Sequence, residues 1–498
     1  METRSSLQHL VRDKLGKAKF VVVSNREPYM HRYKGKQIEW VVPVSGLVTA
    51  LDPITSATGG SWIAYGSGDA DQAVVDHKAR VRVPPDNPSY TLRRIWLTQK
   101  QVEGYYYGFA NEALWPLCHL AFTRPIFNSD HWKIYHEVNQ IFADAVAEEI
   151  QDQPAVIFIQ DYHFALLPKM IKERAPQAVI AQFWHIPWPN REAFQICPWG
   201  EELLEGMLGN DLLGFHIPYH SNNFLETVDR TLESKVDREH FSITKGGHET
   251  LVRAFPISVD FKAITNEASS AAMKTEIVEL KKALGLENVP YIGLGVDRVD
   301  YTKGILERLE AVERFLEQNP QYVQKMTFLQ IASPSRTHID QYKATNDEIK
   351  TLVDKINTRF KKGSWKPILY LREYYPQKAL RAFYRMAHFC VVSSLHDGMN
   401  LVAKEFVASR PDEDGVLILS QFTGAARELS EALFINPYAV DEFAQTIHQA
   451  IEMPAQERKK RMATLRHVIR EANIYTWAWN VIHELARLKP EAGKGSQK

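Results

Sequence analysis

Two cations and a glycine mark one place where this sequence could perform chemistry. Arg298 and Lys303 lie five residues apart and bracket a turn that ends at Gly304, where a helix is predicted to begin. The first N–H groups of a helix are unpaired and its dipole adds partial positive charge, so two cations here predict a clamp for a diphosphate. The alternative is that they form weak local ion pairs with Asp297 and Asp300.

The same turn lacks the glycine patterns of other nucleotide-binding motifs. It is neither a Walker A loop nor a dinucleotide fingerprint. An acidic D-x-D pair with a convincing loop context, which would favour a metal-dependent sugar-nucleotide site, does not appear in the sequence either. We therefore expect that the chemistry uses no metal and no cofactor.

A second stretch, residues 391–407, predicts a strand, a turn and a helix in succession. Asp397 lies in the turn and Glu405 in the helix. An acid would repel phosphate, so we expect Asp397 to accept hydrogen bonds from sugar hydroxyls and Glu405 to hold another hydroxyl pair, such as that of a ribose. The alternative is an ordinary helix with Asp397 as its N-cap and Glu405 in solvent.

Polar side chains directly follow several predicted strands. Arg26, Asp161, His185 and Asp397 all occupy this position. The carboxyl ends of parallel strands form the edge where doubly wound sheets bind ligands, so the shared placement favours a site over isolated structural residues. The aromatic-rich segment 105–115 could line a polar ligand, although core packing is the interpretation we favour.

The sequence predicts two regions in which strands alternate with helices, and these elements must position the residues above. Such alternation is typical of parallel βαβ units. The first begins with the buried strand Lys19–Ser24 and the second with Val289–Gly295, and residues 255–260 form an extended connector. We predict an α/β fold with two doubly wound domains, whose cleft is the natural site. The predicted boundaries are an N-terminal extension at 1–18, a first domain at 19–258, a second domain at 259–474 and a disordered tail at 489–498.

The amino-acid composition limits which classes of partner the protein binds and which cellular compartment suits it. Among 498 residues, Lys+Arg and Asp+Glu both number 60, and this balance argues against nucleic acid or an anionic membrane as the main partner. Cys118, Cys197 and Cys390 lie far apart in apolar surroundings and indicate buried thiols in a reducing compartment. Neither a signal peptide nor an apolar run of about 20 residues is present. We predict a cytoplasmic protein with small-molecule substrates.

Several motifs, in an order that the family shares, resemble trehalose-6-phosphate synthases over about Phe20 to Trp479. They are Ser24-Asn25-Arg26, Leu114-Trp115-Pro116, Asp161-Tyr162-His163, His185-Ile186-Pro187, the segment from Arg298 to Gly304 and the segment from Asp397 to Glu405. The resemblance implies the two-Rossmann GT-B fold, with a C-terminal helix at about 475–488 that crosses back to the first domain. It implies transfer of glucose from a nucleotide-glucose to glucose 6-phosphate with retention, which gives α,α-trehalose 6-phosphate and a nucleoside diphosphate. The resemblance identifies neither the donor base nor the oligomeric state, and a homo-oligomer is one of the alternatives left open.

The resemblance also implies a role for each matching residue. The implied catalytic residues are His185, Asp397, Arg298 and Lys303, with His185 acting through its backbone carbonyl. Donor binding is implied for Gly46, Arg298, Lys303, Asp397, Gly398, Met399, Asn400, Leu401, Val402 and Glu405. Acceptor binding is implied for Arg26, Tyr106, Trp115, Asp161 and Arg336, of which Arg26, Tyr106 and Arg336 would hold the phosphate. No metal ligand and no protein nucleophile are implied.

Three positions depart from the family pattern. Ser45-Gly46-Leu47 replaces the usual Gly-Gly-Leu of the mobile loop, after a longer insertion at 27–44. His396 stands where an arginine usually precedes the Asp-Gly-Met-Asn turn, and Tyr65 stands where the family has a tryptophan.

Two other functions remain as alternatives. Glucosylglycerol-phosphate synthase has the same fold and uses glycerol 3-phosphate as acceptor, and the run from Arg26 to Tyr29 is similar to that branch. Arg336 favours the trehalose branch instead. A non-catalytic sugar-phosphate-binding regulator is disfavoured because the donor residues are intact.

Overall fold

The computed structural model describes residues 2–16, 18–43, 46–336 and 338–488 of the chain. Ser45 and the predicted tail at 489–498 lie outside the described residues. The chain forms two compact units. The first unit comprises Glu2–Pro256 together with the residues from Tyr475 onward, and the second unit comprises Ile257–Ile474.

The strands of the first unit are, in chain order, β1 (Lys19–Arg26), β2 (Met30–Lys34), β3 (Gln37–Val41), β4 (Ser61–Tyr65), β5 (Arg80–Val83), β6 (Tyr90–Ile95), β7 (Ala155–Gln160), β8 (Val179–Phe183), β9 (Leu212–Phe215), β10 (Lys235–Asp237), β11 (Ser242–Lys245) and β12 (His248–Ala254). Its helices are α1 (Arg4–Leu15), α2 (Gly46–Thr58), α3 (Gln99–Gln101), α4 (Trp115–His119), α5 (Ser129–Ile150), α6 (Leu167–Arg174), α7 (Arg191–Phe194), α8 (Gly200–Met207) and α9 (Pro218–Thr231). A π-helix, Val102–Leu114, joins α3 to α4.

The main sheet of the first unit has the order β10-β11-β12-β9-β8-β7-β1-β4-β6-β5. Its strands from β12 to β6 are all parallel, and β7 and β8 are buried throughout, as their Val- and Ile-rich sequences predict. From β1 the chain proceeds to one side through β4 and β6 and then returns to β7 on the other side of β1. The switch point, where ligands bind in such sheets, is therefore between β1 and β7.

Antiparallel strands are the part of the first unit that the sequence analysis missed. The strands β5, β10 and β11 flank the parallel sheet, and β2 and β3 form a separate hairpin within the insertion at 27–44. The hairpin turns at Gly35, whose φ of +62° suits a two-residue loop.

The strands of the second unit are β13 (Tyr291–Arg298), β14 (Met326–Ser333), β15 (Ile368–Leu371), β16 (Phe389–Val392), β17 (Val416–Ser420) and β18 (Leu433–Ile435). Its helices are α10 (Phe261–Ser269), α11 (Ala271–Ala283), α12 (Ile305–Gln318), α13 (Asp340–Arg359), α14 (Gln377–Met386), α15 (Leu401–Ala408), α16 (Val440–Glu452) and α17 (Ala455–Glu471). The last helix, α18 (Ile474–Leu488), spans the second boundary between the units.

The sheet of the second unit is parallel throughout and has the order β15-β14-β13-β16-β17-β18. This is the doubly wound order in which the switch point lies between the first and fourth strands, here β13 and β16. Apolar side chains of α12 and α16, including Leu309, Phe315 and Phe443, pack with the sheet in one buried core. The predicted α/β class with two doubly wound domains is confirmed.

Helix α18 supplies core residues to the first unit. Trp477 is buried, and its ring centroid lies 5.2 Å from that of Phe183 and 6.2 Å from that of Phe158. Among the helices that the structure describes, none combines the length and the apolar character needed to cross a membrane.

Candidate active site

The switch point of the second unit brings together two of the residues singled out in the sequence. Lys303 follows β13 and Asp397 follows β16, and Lys303 Nζ donates to Asp397 Oδ2 over 2.6 Å. Both side chains are mostly buried. The alternative of local ion pairs holds for Arg298, which lies 4.0 Å from Asp300, whereas Lys303 pairs with the distant Asp397 and Asp297 pairs with Arg308.

A glycine allows the two loops to approach so closely. Gly304 has φ of +61°, and a Cβ atom built on it would lie 2.1 Å from the carbonyl oxygen of Ser393. Leu395 N also donates to Thr302 O over 2.8 Å. The turn after β13 therefore rests directly on the backbone at the end of β16, which only glycine permits.

The turn from Asp397 to Asn400 is held on both sides. Asp397 Oδ2 accepts from Ser394 Oγ and from Asn400 Nδ2, each at 3.2 Å. The β17–β18 loop binds the turn's backbone, because Gly424 N donates to Asp397 O and Ala425 N donates to Met399 O. The turn is therefore rigid before any ligand binds.

Asn400 caps helix α15, so the alternative in which Asp397 is the cap is wrong. The Asn400 side chain accepts from Ala403 N over 3.3 Å, and its φ is +76°. Gly398 and Met399 are buried in the turn, and Leu401 and Val402 open the helix. Their N–H groups begin a helix whose first donors have no partner within the helix.

Glu405 is mostly buried, so the alternative that places its side chain in solvent is also wrong. Its side chain is 14% exposed and accepts from Tyr384 Oη over 3.0 Å and from Gln377 Nε2 over 3.4 Å. Both partners lie on α14.

Arg298 and Arg336 both approach one carboxylate oxygen in the second unit, Oδ2 of Asp300. Arg336 Nη1 is 3.6 Å and Arg298 Nη2 is 4.0 Å from Asp300 Oδ2. Burial alone would raise the pKa of Asp300, but the two arginines outweigh it and hold this pKa below its ordinary value. The backbone of Arg336 has φ of +49°, a conformation that non-glycine residues adopt at some cost and often at functional sites.

Arg308 is a positioning residue that the sequence analysis missed. Its fully buried guanidinium donates to Asp297 Oδ2 over 2.6 Å and to Ser393 Oγ over 3.0 Å. Ser393 Oγ in turn donates to Gly304 O over 2.7 Å. The side chain thus joins the ends of β13 and β16, and its place four residues into α12 after Gly304 is the signal that could have found it.

The switch point of the first unit has Arg26 at the end of β1 and Asp161 directly after β7. Arg26 is exposed and lies at a bulge in the pairing of β1 with β4. Asp161 Oδ1 accepts from Tyr162 N over 2.9 Å and from His185 N over 3.2 Å. Asp161 and His185, predicted separately, are therefore brought together.

His185 is neutral, and its carbonyl is oriented by a second histidine. Burial lowers the pKa of His185 to about 3. The ring Nε2 lies 3.0 Å from Gln160 Oε1, and the carbonyl oxygen accepts from His216 Nε2 over 3.0 Å. His216 was not predicted as a site residue, although it also follows a strand, β9.

Tyr106 and Trp115 lie on the continuous helix 99–119. Tyr106 is in the π-helix, where its ring stacks on His163 with 5.6 Å between centroids and 8° between planes. Trp115 is buried and packs on His119 and Tyr162. Gly108 allows this helix to touch α5, since a Cβ there would lie 2.2 Å from His131 Nδ1. Such π-helical segments occur frequently at functional sites.

A buried charged cluster begins with Glu27, the residue after Arg26. Arg94 Nε donates to Glu27 Oε2 over 2.7 Å, and Arg94 Nη2 lies 2.8 Å from Asp71 Oδ1. His31 Nδ1 lies 2.8 Å from the same Nη2 and accepts from it, because a guanidinium can only donate. Two carboxylates therefore face one guanidinium in this cluster.

One proton is shared within this cluster. Burial and the hydrogen bond with Asp71 raise the pKa of Glu27 to about 7. Burial also acts to raise the pKa of Asp71, but hydrogen bonds with His31 and Glu27 hold it below its ordinary value. Glu27 therefore carries a proton below neutral pH.

Gly46, which is predicted to bind the donor, is the first residue of α2. In the part of the chain that the structure describes, no group of three or more His, Cys, Asp or Glu side chains could hold a metal ion. Metal independence stays a prediction.

Two doubly wound α/β units in one chain, with cations and carboxylates at the switch point of the second, define a glycosyltransferase of the GT-B class. Residues 18–487 match glycosyltransferase family 20. The chain belongs to this family, and the resemblance predicted from the motifs is confirmed.

Relatives of known name cover nearly all of the chain. A trehalose-6-phosphate synthase from Mycolicibacterium vanbaalenii is 36% identical over 486 residues, which make up 96% of this chain and 98% of that protein. A solved structure from E. coli, bound with UDP-2-fluoro glucose, has a TM-score of 0.84 and 31% identity and covers 94% of this chain and 99% of its own. A UDP-forming α,α-trehalose-phosphate synthase from Burkholderia xenovorans, in complex with glucose-6-phosphate, has a TM-score of 0.83 and 30% identity and covers 94% of this chain and 100% of its own.

Proposed function

We propose that this chain transfers glucose from a nucleotide-glucose to glucose 6-phosphate with retention, forming α,α-trehalose 6-phosphate and a nucleoside diphosphate. The observation that carries the proposal is the meeting of Lys303 and Asp397 at the switch point of the second unit. A cation for the diphosphate and a carboxylate for the sugar hydroxyls are there held side by side. The E. coli and B. xenovorans structures contain a UDP-glucose analogue and glucose-6-phosphate respectively, which supports both substrates.

The donor is bound by the second unit. Arg298, Lys303 and the first turn of α15 hold the diphosphate, and the backbone of residues 398–402 assists. Asp397 accepts hydrogen bonds from the glucose hydroxyls, and Glu405 accepts them from the ribose. Lys303 neutralises Asp397 in the unliganded protein, so the incoming diphosphate gives this cation a second anionic partner.

Transfer proceeds on one face of the sugar without a protein nucleophile. The acceptor hydroxyl oxygen bonds to the anomeric carbon as the bond from this carbon to the diphosphate oxygen breaks. The electron pair stays on the leaving oxygen, which also takes the hydroxyl proton. Arg298 and Lys303 stabilise the charge that develops on the diphosphate, which preorganised cations do most effectively away from bulk water.

Electron-rich oxygen next to the sugar stabilises the oxocarbenium-like state. The carbonyl oxygen of His185 supplies it, and the hydrogen bond from His216 fixes the direction of this carbonyl. The neutral ring of His185 adds no positive charge that would oppose the developing cation.

The acceptor is bound through its phosphate and its sugar ring. Arg26, Tyr106 and Arg336 hold the phosphate, and Trp115 and Asp161 contact the sugar. We also propose that transfer requires no metal, because Arg298, Lys303 and the first turn of α15 supply the positive charge at the diphosphate. The free, buried cysteines support a cytoplasmic setting.

The experiment that tests the function measures nucleoside-diphosphate release from UDP-, ADP- and GDP-glucose. Each donor is paired with glucose 6-phosphate or glycerol 3-phosphate, without added metal. Release only with glucose 6-phosphate is expected, and it would also identify the base. Release with glycerol 3-phosphate would move the function to glucosylglycerol-phosphate synthesis, and no release with any pair would favour a non-catalytic regulator.

A further inference from the structure

Three polar side chains on one face of α14 converge on Glu405. They are Gln377, Arg381 and Tyr384, which lie one turn apart along the helix. Tyr384 Oη is 3.0 Å and Arg381 Nη1 is 3.8 Å from Glu405 Oε2, and Gln377 Nε2 is 3.4 Å from Oε1. Arg381 Nη2 also donates to Gln377 Oε1 over 2.6 Å, so the three side chains act as one group.

Arg381 is the unexpected member of this group. Its side chain is only 5% exposed, yet Nε and Nη1 make no hydrogen bond to any residue that the structure describes. Their nearest acidic oxygens are Glu267 Oε2, 3.5 Å from Nε, and Glu405 Oε2, 3.8 Å from Nη1. Burying a guanidinium with so few hydrogen bonds costs stability, so a role in fold stability alone does not explain the residue.

The two oxygens of Glu405 are engaged unequally. Oε2 receives the Tyr384 hydroxyl, which stays protonated because burial and the Glu405 charge raise the pKa of Tyr384 well above its usual value. Oε2 also faces Arg381, whereas Oε1 has only the longer contact with Gln377. A ligand hydroxyl would therefore reach Oε1 with the least competition.

We propose that Arg381 is a positioning residue that holds the Glu405 carboxylate in one orientation for the ribose diol, and thereby makes the site prefer ribonucleotides over 2′-deoxyribonucleotides. The inference rests on the proposed function, in which Glu405 binds the ribose. Arg381 acts through Glu405, because its Nη1 atom is inaccessible to solvent and so to a ligand in this structure. A preoriented carboxylate loses no rotamer freedom on binding, which strengthens its hydrogen bond to the ligand.

The test compares binding of UDP and 2′-deoxy-UDP by calorimetry in wild type, Arg381→Met and Glu405→Gln. Hydrogen bonds to a charged group predict that wild type binds UDP about tenfold to a hundredfold more tightly than 2′-deoxy-UDP. In Arg381→Met this ratio should fall at least about fivefold, toward the value in Glu405→Gln, while affinity for 2′-deoxy-UDP changes little. Because the two residues act on one contact, the double variant should lose no more than Glu405→Gln alone.

A matched control lies one turn further along the same helix. Arg385 pairs with Asp412 over 2.7 Å and does not touch Glu405, so Arg385→Met should keep the wild-type ratio. If Arg381→Met does not fold, Arg381→Lys, which keeps the charge without the fork, and Tyr384→Phe, which removes only a hydroxyl, should each lower the ratio.

The outcomes separate this inference from the proposed function. Equal weakening of both ligands in Arg381→Met would show a merely structural role and overturn the inference, as would an unchanged ratio. A wild-type protein that binds UDP without ribose preference would overturn it and leave the function standing. A wild-type protein that binds no nucleoside diphosphate would defeat both.

Discussion

At the scale of single residues, the site depends on charges placed where they compensate one another. Lys303 neutralises Asp397, two arginines share Asp300, and Arg308 neutralises Asp297. Removing one partner of such a buried pair leaves the other uncompensated, which usually costs more than the pair contributes. The folding of each variant at these positions must therefore be checked before its activity is compared with that of wild type.

Asp397→Ala should abolish transfer while the fold stays intact, and Arg298→Ala should do the same. The first removes the proposed acceptor of hydrogen bonds from the glucose hydroxyls, and the second removes a cation proposed to stabilise the leaving diphosphate. We expect kcat/KM to fall at least about a hundredfold. Steady-state nucleoside-diphosphate release and circular dichroism measure the two effects.

The control for this pair is Asp441→Ala, which removes an exposed carboxylate from α16 in the same unit. It should retain wild-type turnover. Near-normal activity in Asp397→Ala or Arg298→Ala would show that the donor site is assigned wrongly.

Glu27→Gln should make the protein more stable than wild type at pH 8 to 9, with a much smaller difference at pH 5. The folded-state pKa of Glu27 is raised from 4.5 to about 7, so its contribution is fully present below about pH 4.5 and is lost as pH rises through 7. Asp71, whose pKa is lowered, does not titrate in this window. The full effect is about 3 kcal/mol.

Thermal unfolding from pH 5 to pH 9 measures this prediction. The exposed Glu103→Gln serves as control, since Glu103 lies outside the cluster. A difference between wild type and Glu27→Gln that does not change with pH would mean that Glu27 is ionised throughout.

At the scale of elements, the close approach of the loops after β13 and β16 determines whether Lys303 can meet Asp397. The turn after β13 and the end of β16 touch through Gly304 and Ser393, and Arg308 joins both from α12. A single added methyl group at this contact must separate the loops that bring Lys303 to Asp397.

Gly304→Ala should destabilise the second unit by about 2 kcal/mol or more beyond the cost of the positive φ alone, and should weaken UDP binding. The control is Gly363→Ala, because Gly363 has nearly the same φ, +58°, but nothing within 4 Å of its added Cβ. Thermal unfolding and UDP titration of both variants isolate the contact. Equal effects of the two substitutions would argue against it.

The sequence predicts many of the helices and strands, and there is a physical reason why it does not predict the contacts between them. Helix α12 begins directly after Gly304 and strand β1 begins at Lys19, both where the sequence predicts, because each buries a continuous apolar stripe or run in a core. The pairing of Lys303 with Asp397, 94 residues apart, was not predictable, because it depends on the order of strands in the sheet. Periodicity in one sequence reports a strand but not its neighbours.

Details of local backbone geometry were also beyond the sequence pattern. Asp397 and Asn400 are both good caps, and the contacts of the β17–β18 loop with the turn leave Asn400 as the residue that caps α15. The π-helix has an ordinary helical composition, and its packing against α5 at Gly108 is a tertiary effect.

At the scale of the whole molecule, the chain carries no net charge, so positive charge at the diphosphate must come from cations placed locally. If Arg298, Lys303 and the start of α15 supply all the necessary charge, removal of divalent metal should not affect catalysis. Activity in excess EDTA should remain within about twofold of activity in Mg²⁺, since no step of the proposed mechanism needs a metal ion. A loss of more than about tenfold that Mg²⁺ restores would contradict metal independence.

Helix α18 should contribute to the stability of the first unit although it comes last in the chain. Trp477→Ala removes a buried ring from Phe158 and Phe183 and should cost about 3 to 5 kcal/mol. Trp479→Ala, on the same helix, is the control, because Trp479 is only half-buried and stacks on His483. Thermal unfolding should show the larger shift for Trp477→Ala, and similar shifts would mean that α18 is not anchored through Trp477.

The return of α18 to the first unit sets the order in which a ribosome can complete the two units. The second unit is one continuous segment, Ile257–Ile474, whereas the first lacks Trp477 until that segment has been translated. At cellular rates of synthesis this delay is roughly 10 to 40 seconds. Throughout it, Phe158 and Phe183 lack the Trp477 ring on the nascent chain, so this part of the first unit's core can be packed only after the second unit has been translated.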